Sequence, residues 1–358
     1  MSAKSSEAIV YIGSYGSADE TTIRVCRYDS ELQKLAVIQE INEAENASYL
    51  ALHPNGELLY AVSETEYTEG SIGGSAIAYR IDPISGKLTE INRGLTRGAH
   101  PCYVSTDAKG RRLYIANYTG GNSATLQLNE DGSIGKELQI TACSAPLGPN
   151  AARQEAPHAH AIVPNGKYVY VTDLGTDSIH IYEQEEGESQ SYRGAVKLHA
   201  GAGPRHLVFH ETLPYAYAVN ELDSTVTVFK TGGTDGALEP VQTVSALPSG
   251  YADYSDAADI HLAPSGRYLY SSNRGHDSIA VFAVDQTSGK LTLVQTEPCG
   301  GQTPRNFAIA PDGGHMFVAH QKTGTIALFS VDKESGRIAY RTTILEANAP
   351  VCIAFGRG

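Results

Sequence analysis

Seven short segments of this chain share one pattern. Each is apolar, has an aromatic residue as the second member of a doublet, and ends in polar residues: VYIGSY, LYAVSE, LYIANY, VYVTDL, AYAVNE, LYSSNR and MFVAHQ. Their aromatics, Tyr11, Tyr60, Tyr114, Tyr170, Tyr217, Tyr270 and Phe317, recur at intervals of roughly 50 residues. Continuing from Phe317 past the last residue and back to Tyr11 spans one more such interval, so the period closes on itself. A closed period of this length requires equivalent units arranged in a ring.

Each unit has the parts of a four-stranded sheet. Before the doublet lies a strand ending in a Gly turn, as in ALHPNG, AIVPNG, HLAPSG and AIAPDG. After it comes an alternating strand, clearest in DSIHIYEQ, STVTVFK, DSIAVFAVD and GTIALFSVD. A turn such as PISGKL, QTSGKL or KESGRI then leads to an outer strand. Four antiparallel strands per unit and seven units predict an all-β, seven-bladed β-propeller, with residues 1–358 as one domain. APVCIAF at the end lacks a doublet behind it, and VYIGSY at the start lacks an inner strand before it. The N- and C-terminal strands are therefore expected to complete the last blade together, which removes an exposed edge. DYSDAAD reads as a short helical turn.

Composition agrees and excludes some partners. The 36 Gly, 16 Pro and 21 Tyr without any Trp suit many short strands and tight turns. A formal net charge of -13 opposes nucleic acid and anionic membrane surfaces. No apolar run approaches about 18 residues, so a soluble, cytoplasmic chain is expected. Five scattered cysteines read as reduced thiols, with Cys102 and Cys352 as small fillers at strand starts. A ring that closes its own edges is expected to be a monomer.

Inner strands begin where doublet strands end, so both meet at one rim of the central channel. Aligned on the turn Gly, the inner strands start with Ser48, Cys102, His158, Arg205, Ala258, Arg305 and Val351. The next positions are Tyr49, Tyr103, Ala159, His206, Asp259, Asn306 and Cys352. The doublet strands end on pairs that include Asn220-Glu221, Asn273-Arg274 and His320-Gln321. Neighbouring units thus bring His158, Arg205, Glu221, Arg274 and Arg305 to one side of the mouth. Guanidinium groups there suit a small anion, gripping phosphate or carboxylate through paired hydrogen bonds. A carboxylate and an imidazole beside them can move protons. His206, Asp259 and Gln321 join Arg305 as expected substrate-binding residues.

PHAHAIVPNG, GPRHLVFH, YAVNELDSTVTVF, ADIHLAPSGRYLYSSNRGHDSIAVF and QTPRNFAIAPDG resemble the seven-bladed propeller lactonase family. That family includes bacterial 6-phosphogluconolactonase and fungal 3-carboxymuconate lactonizing enzyme. The resemblance covers nearly the whole chain and implies His158, Arg205, Glu221 and Arg274 as active-site residues. It implies a lactone ring opened or closed without metal but does not select the substrate; arginines that hold a phosphate make hydrolysis of 6-phosphogluconolactone, a small anionic lactone, the expected reaction, with no cofactor. Muconate lactonization and a non-enzymatic binding scaffold are the alternatives, and the base is either Glu221 or His158. A calcium site from Glu221, Asn220, Asp259 and Asn273 is the metal-dependent rival, disfavoured by the arginines on the same rim. Long connections over 142–156 and 247–258 reach the mouth and are candidate walls or lids.

Overall fold

The doublet strand is apolar on both faces because it is the second of four in its sheet, with a neighbouring blade against each face. Leu58–Ser63 and Tyr168–Asp173 are buried along their whole length, whereas the outermost Lys34–Ile41 is mostly exposed or half-buried. A computed structural model describes residues 7–185, 189–233 and 235–356. It shows seven four-stranded antiparallel sheets and a small hairpin at Tyr67–Ile72. Counted by their innermost strands, the blades begin with Leu50–Leu52, Pro101–Thr106, Ala159–Asn165, Pro204–Phe209, Asp256–Leu262, Pro304–Ile309 and Pro350–Phe355. Blade 7 is the expected closure, with Pro350–Phe355 pairing antiparallel to Glu7–Ser14. There is no helix among the described residues. DYSDAAD leads directly into the strand Asp256–Leu262, which corrects the expected helical turn.

The doublet tyrosines fasten one blade to the next. Each buried ring carries a hydroxyl that needs a partner, and five find a glycine carbonyl in the outer turn of the following blade: Tyr11 with Gly86, Tyr60 with Gly132, Tyr170 with Gly236, Tyr217 with Gly289 and Tyr270 with Gly336. Only glycine fits that turn. Gly336 has φ 69° and an added Cβ would lie 2.3 Å from the Tyr268 ring. Two junctions differ: Tyr114 donates to Gln184 Oε1, and Phe317, lacking a hydroxyl, packs edge-on against Tyr28.

Every inner strand but the first carries a bulge near the mouth. Register with the doublet strand slips past Cys102, His160, Arg205, Arg305 and Val351, and in blade 5 past Ala258 and Asp259. A bulge breaks the strict alternation of side chains. Consecutive residues, such as Arg205 and His206, can then both face the channel.

Candidate active site

Glu221 is the centre of the mouth. It follows the doublet strand Tyr215–Asn220, and its backbone is tied by Glu221 N donating to the Gly203 carbonyl and Ala257 N donating to its own. Three guanidinium groups converge on the carboxylate. Arg205 Nε lies 3.0 Å and Arg274 Nη2 2.9 Å from Oε2, while Arg153 Nη2 donates to Oε1. Burial alone would raise the Glu221 carboxyl, but Arg274, Arg205 and Arg153 together hold it far below the usual carboxylate range. Glu221 is therefore ionised at any working pH, and it is a weak base while all three arginines remain on it.

The arginines are not equivalent. The Arg205 and Arg274 side chains are 3% and 13% exposed, against 35% for Arg153. Arg205 also donates from Nη1 to the Ala258 carbonyl at 2.6 Å, and Arg274 Nη2 to the Ala257 carbonyl at 3.0 Å. Burial, with Arg305 and Arg274 nearby, brings Arg205 down to about 10, still charged at neutrality. Arg153 lies on the long 142–156 connection. Its Nη1 lies 3.0 Å from Asp256 Oδ2, which also accepts Tyr254 OH at 2.7 Å. The two long connections thus meet directly above Glu221.

Behind Arg205 lies a second buried carboxylate. Asp259 accepts His206 Nδ1 at 2.8 Å, His261 Nε2 at 2.9 Å, Asn306 Nδ2 at 2.5 Å and the backbone N–H groups of Ile260 and Phe307. With its lone pairs so occupied, Asp259 joins blades 4, 5 and 6 instead of presenting a free acceptor to substrate. It also fixes the His206 tautomer. Arginine only donates, so His206 Nε2, 3.2 Å from Arg205 Nη1, is an acceptor and Nδ1 carries the proton to Asp259. Burial and the Arg205 charge bring His206 down to about 4, consistent with a neutral ring.

His158 stands apart from the position its alignment suggested. The residue structurally equivalent to Arg205 is His160, because the bulge of blade 3 falls there and the strand starts at Ala159. His160 faces the channel with its ring 5.3 Å from His206. His158 lies just before the strand, its N–H on Asp173 Oδ1 at 2.7 Å and its ring stacked on Tyr118 at 4.4 Å. Its Nδ1 is 3.1 Å from the Tyr118 carbonyl and its Nε2 3.1 Å from Glu155. Tyr118 in turn couples electrostatically to Arg153, so His158 connects to Glu221 through two intervening side chains.

Arg305 is different in kind. It has no carboxylate within ion-pair distance among the described residues, and its guanidinium lies 5.4 Å from the centre of the Tyr15 ring. With Arg205, Glu64, Ser48 and Cys102 it lines a narrow recess of about 10 Å³, room for about one water. That is far below the roughly 300–1,000 Å³ that encloses a whole ligand, so a substrate can meet Arg305 only from the open mouth. Gln321 donates its backbone N–H to Thr303, and its side chain makes none of these contacts. A larger concavity on the opposite rim, bordered by Asp107, Lys109 and Lys167, lacks such convergence.

The proposed calcium ligands are not arranged for a cation. The oxygens of Glu221 and Asp259 face guanidinium, imidazole and N–H donors, while Asn220 and Asn273 direct their amide N–H groups to Thr225, Thr227 and the Ala246 carbonyl. A buried trio, Cys143, Asp173 and His180, has donor atoms within 4.8 Å of one another. Asp173 there accepts the His158, Gly175 and Thr176 N–H groups and the Thr176 hydroxyl, which makes it a turn-capping carboxylate.

These buried groups set a pH dependence of stability. Folded His160 and His206 resist protonation, so below the ordinary histidine value of 6.5 the unfolded chain binds protons that they refuse. Stability is lost as pH falls from 6.5 towards 4, by about 3 kcal/mol for His206 alone. His261, raised by Asp259 despite burial, acts in the opposite direction. Depressed Glu221 and Asp259 contribute fully above about 4.5 and lose that contribution as pH falls further. Calorimetry should show a falling melting temperature between pH 6.5 and 4, steeper below 4.5, and a smaller decline in His206→Gln. A melting temperature constant down to pH 4 would contradict this account.

Comparison with known proteins gives the arrangement a lineage. Residues 9–355 match the family model described as lactonase, 7-bladed beta-propeller. The 6-phosphogluconolactonase of Bacillus subtilis is 36% identical over 304 residues, 84% of each chain, and that of Pectobacterium carotovorum is 33% identical over 85% of each. The crystal structure of a putative 6-phosphogluconolactonase from Bacteroides fragilis superposes with a TM-score of 0.89 at 32% identity, covering 99% of both chains. The periplasmic gluconolactonase of Pseudomonas aeruginosa superposes at 0.90 with 32% identity, covering 98% of this chain and 99% of that one. With the family model spanning nearly the whole ring, the chain belongs to the seven-bladed β-propeller lactonase family.

Proposed function

We propose that this protein is a 6-phosphogluconolactonase, opening the lactone ring with water. The observation that carries the phosphorylated substrate is Arg305, a guanidinium at the channel recess with no carboxylate within ion-pair distance among the described residues, its nearest acidic neighbour in the recess being Glu64. Arg205 and Arg274 are already engaged by Glu221, so phosphate binding falls to Arg305 rather than to them. With phosphate on Arg305 at the mouth, the lactone carbonyl lies toward Glu221. Water attacks that carbon, Glu221 takes its proton, the ring C–O bond breaks, and Glu221 returns that proton to the departing ring oxygen, which becomes a hydroxyl. The remaining N–H groups of Arg205 and Arg274 steady the charge on the acyl oxygen.

Turnover on phosphorylated and plain lactones, with spontaneous hydrolysis subtracted, tests this. Faster opening of 6-phosphogluconolactone than of gluconolactone supports the reading, and no acceleration of any lactone rejects it. Arg305→Met should raise KM for the phosphorylated lactone on the order of 10–100-fold, the loss of a charge-assisted bidentate contact, and leave the plain one unchanged. Equal effects on both would remove Arg305 from the phosphate. Cytoplasmic residence is also proposed, supported by five cysteines that all remain unpaired. Recovery in a periplasmic fraction would reject it.

A further inference from the structure

Glu221 presents a chemical contradiction as it stands. Both oxygens are occupied and its carboxyl is held far below the ordinary range, yet on the reading above it must accept a proton. One oxygen has to be released. Oε2 is held by Arg205 and Arg274, both buried and both bonded to backbone carbonyls in the blades. Oε1 is held by Arg153, the most exposed of the three, on a connection outside the sheets.

Arg153 lies on the channel side of a fixed point in its connection and is held by Glu221 and Asp256, with Tyr118 beside it. Its neighbour Gln154 is 1% exposed and anchors the connection, bonding the Leu174 carbonyl and Asp177 Oδ1. Beyond that anchor, Arg153 Nη1 rests on Asp256, which Tyr254 OH also holds. One nitrogen is thus fixed by Asp256 while the other, Nη2, alone meets Glu221. We infer that Arg153 is a further catalytic residue, pivoting on Asp256 to pass Nη2 from Glu221 Oε1 to the acyl oxygen of the lactone as charge develops there. This rests on the lactonase reading. Water oxygen bonds to the acyl carbon, its proton goes to the freed Oε1, and the electron pair of the carbonyl moves onto the oxygen that Arg153 then binds. The transfer makes Glu221 a stronger base only as the oxyanion forms, an interaction gained in the transition state and absent before it.

The test separates this role from phosphate binding and from loop fastening. Arg153→Met should lower kcat about 100-fold on 6-phosphogluconolactone and on gluconolactone alike, the usual cost of one oxyanion donor, with KM within about threefold. The acid limb of its kcat/KM profile should move to higher pH, because Glu221 has lost one guanidinium. Asp256→Asn should lower kcat in the same direction by a smaller factor. A rise in KM confined to the phosphorylated lactone, with kcat kept, would overturn the inference and make Arg153 a phosphate ligand. Full activity with a lower melting temperature would also overturn it, leaving Arg153 a fastener of the two connections. A wild-type protein inactive on every lactone would overturn the lactonase reading and this role with it, whereas an active wild type beside a fully active Arg153→Met overturns this role alone.

Discussion

Glu221→Gln should lose about 1,000-fold in kcat and also melt roughly 5–10 °C lower. The two losses have separate causes. The amide keeps the shape of the carboxylate but cannot take a proton from water, so the chemical step slows. It also leaves Arg205, Arg274 and Arg153 gathered around a neutral group, and removing one member of a buried ion pair costs about 3–5 kcal/mol. Steady-state rates and calorimetry on one preparation measure both, and a stable variant with normal kcat would remove Glu221 from catalysis. Arg205→Lys belongs to the same class. It should lower both rate and melting temperature, because 3% exposure, an ion pair with Glu221 and a bond to the Ala258 carbonyl make Arg205 a fold residue as well. The kinetic control that leaves the fold intact is Arg305→Met.

The second large effect is expected at Asp259. Asp259→Ala strips the partner from two histidines, Asn306 and two backbone N–H groups contributed by three consecutive blades. Buried donors left without an acceptor cost about 1–3 kcal/mol each before relaxation, so a fall of about 10 °C or more in melting temperature follows. Asp259→Asn, which keeps one acceptor oxygen, should lose less. Activity should fall too, in proportion to unfolding at assay temperature. An Asp259→Ala melting temperature within about 2 °C of wild type would show that the channel does not depend on this carboxylate.

The architecture was legible because it is written as a period: the doublets locate the second strands, and the unmatched end strands identify the closing blade. Arg205, Glu221 and Arg274 were legible for the same reason, as they occupy repeated positions whose neighbours are known. What periodicity cannot convey is a local break in it. The bulge at His160 displaces blade 3, so a gap-free alignment equated His158 with Arg205. The second His of PHAH was the available signal. Nor does a spacing argument reach Arg153, whose connection has no counterpart in the other units, or show that Asp259 is consumed by donors on adjacent blades. Residue type suggested that all the arginines were alike. Their partners distinguish them, since of Arg153, Arg205, Arg274 and Arg305 at the mouth, Arg305 alone has no carboxylate within ion-pair distance among the described residues.

The pairing of Glu7–Ser14 with Pro350–Phe355 also governs how the molecule is made. During synthesis the first-made strand must wait for nearly the whole chain before its inner neighbour exists. Until then the nascent protein is an open arc with two sticky borders and a half-formed Glu221 centre that no ring yet supports. Closing this blade joins strands far apart in the sequence, a non-local pairing of the kind that forms slowly. Shortening the last strand, for example by Ile353→Pro, which forfeits the N–H that bonds Asn306 Oδ1, would stall assembly at that arc and send newly made chains toward aggregation rather than toward a weaker enzyme.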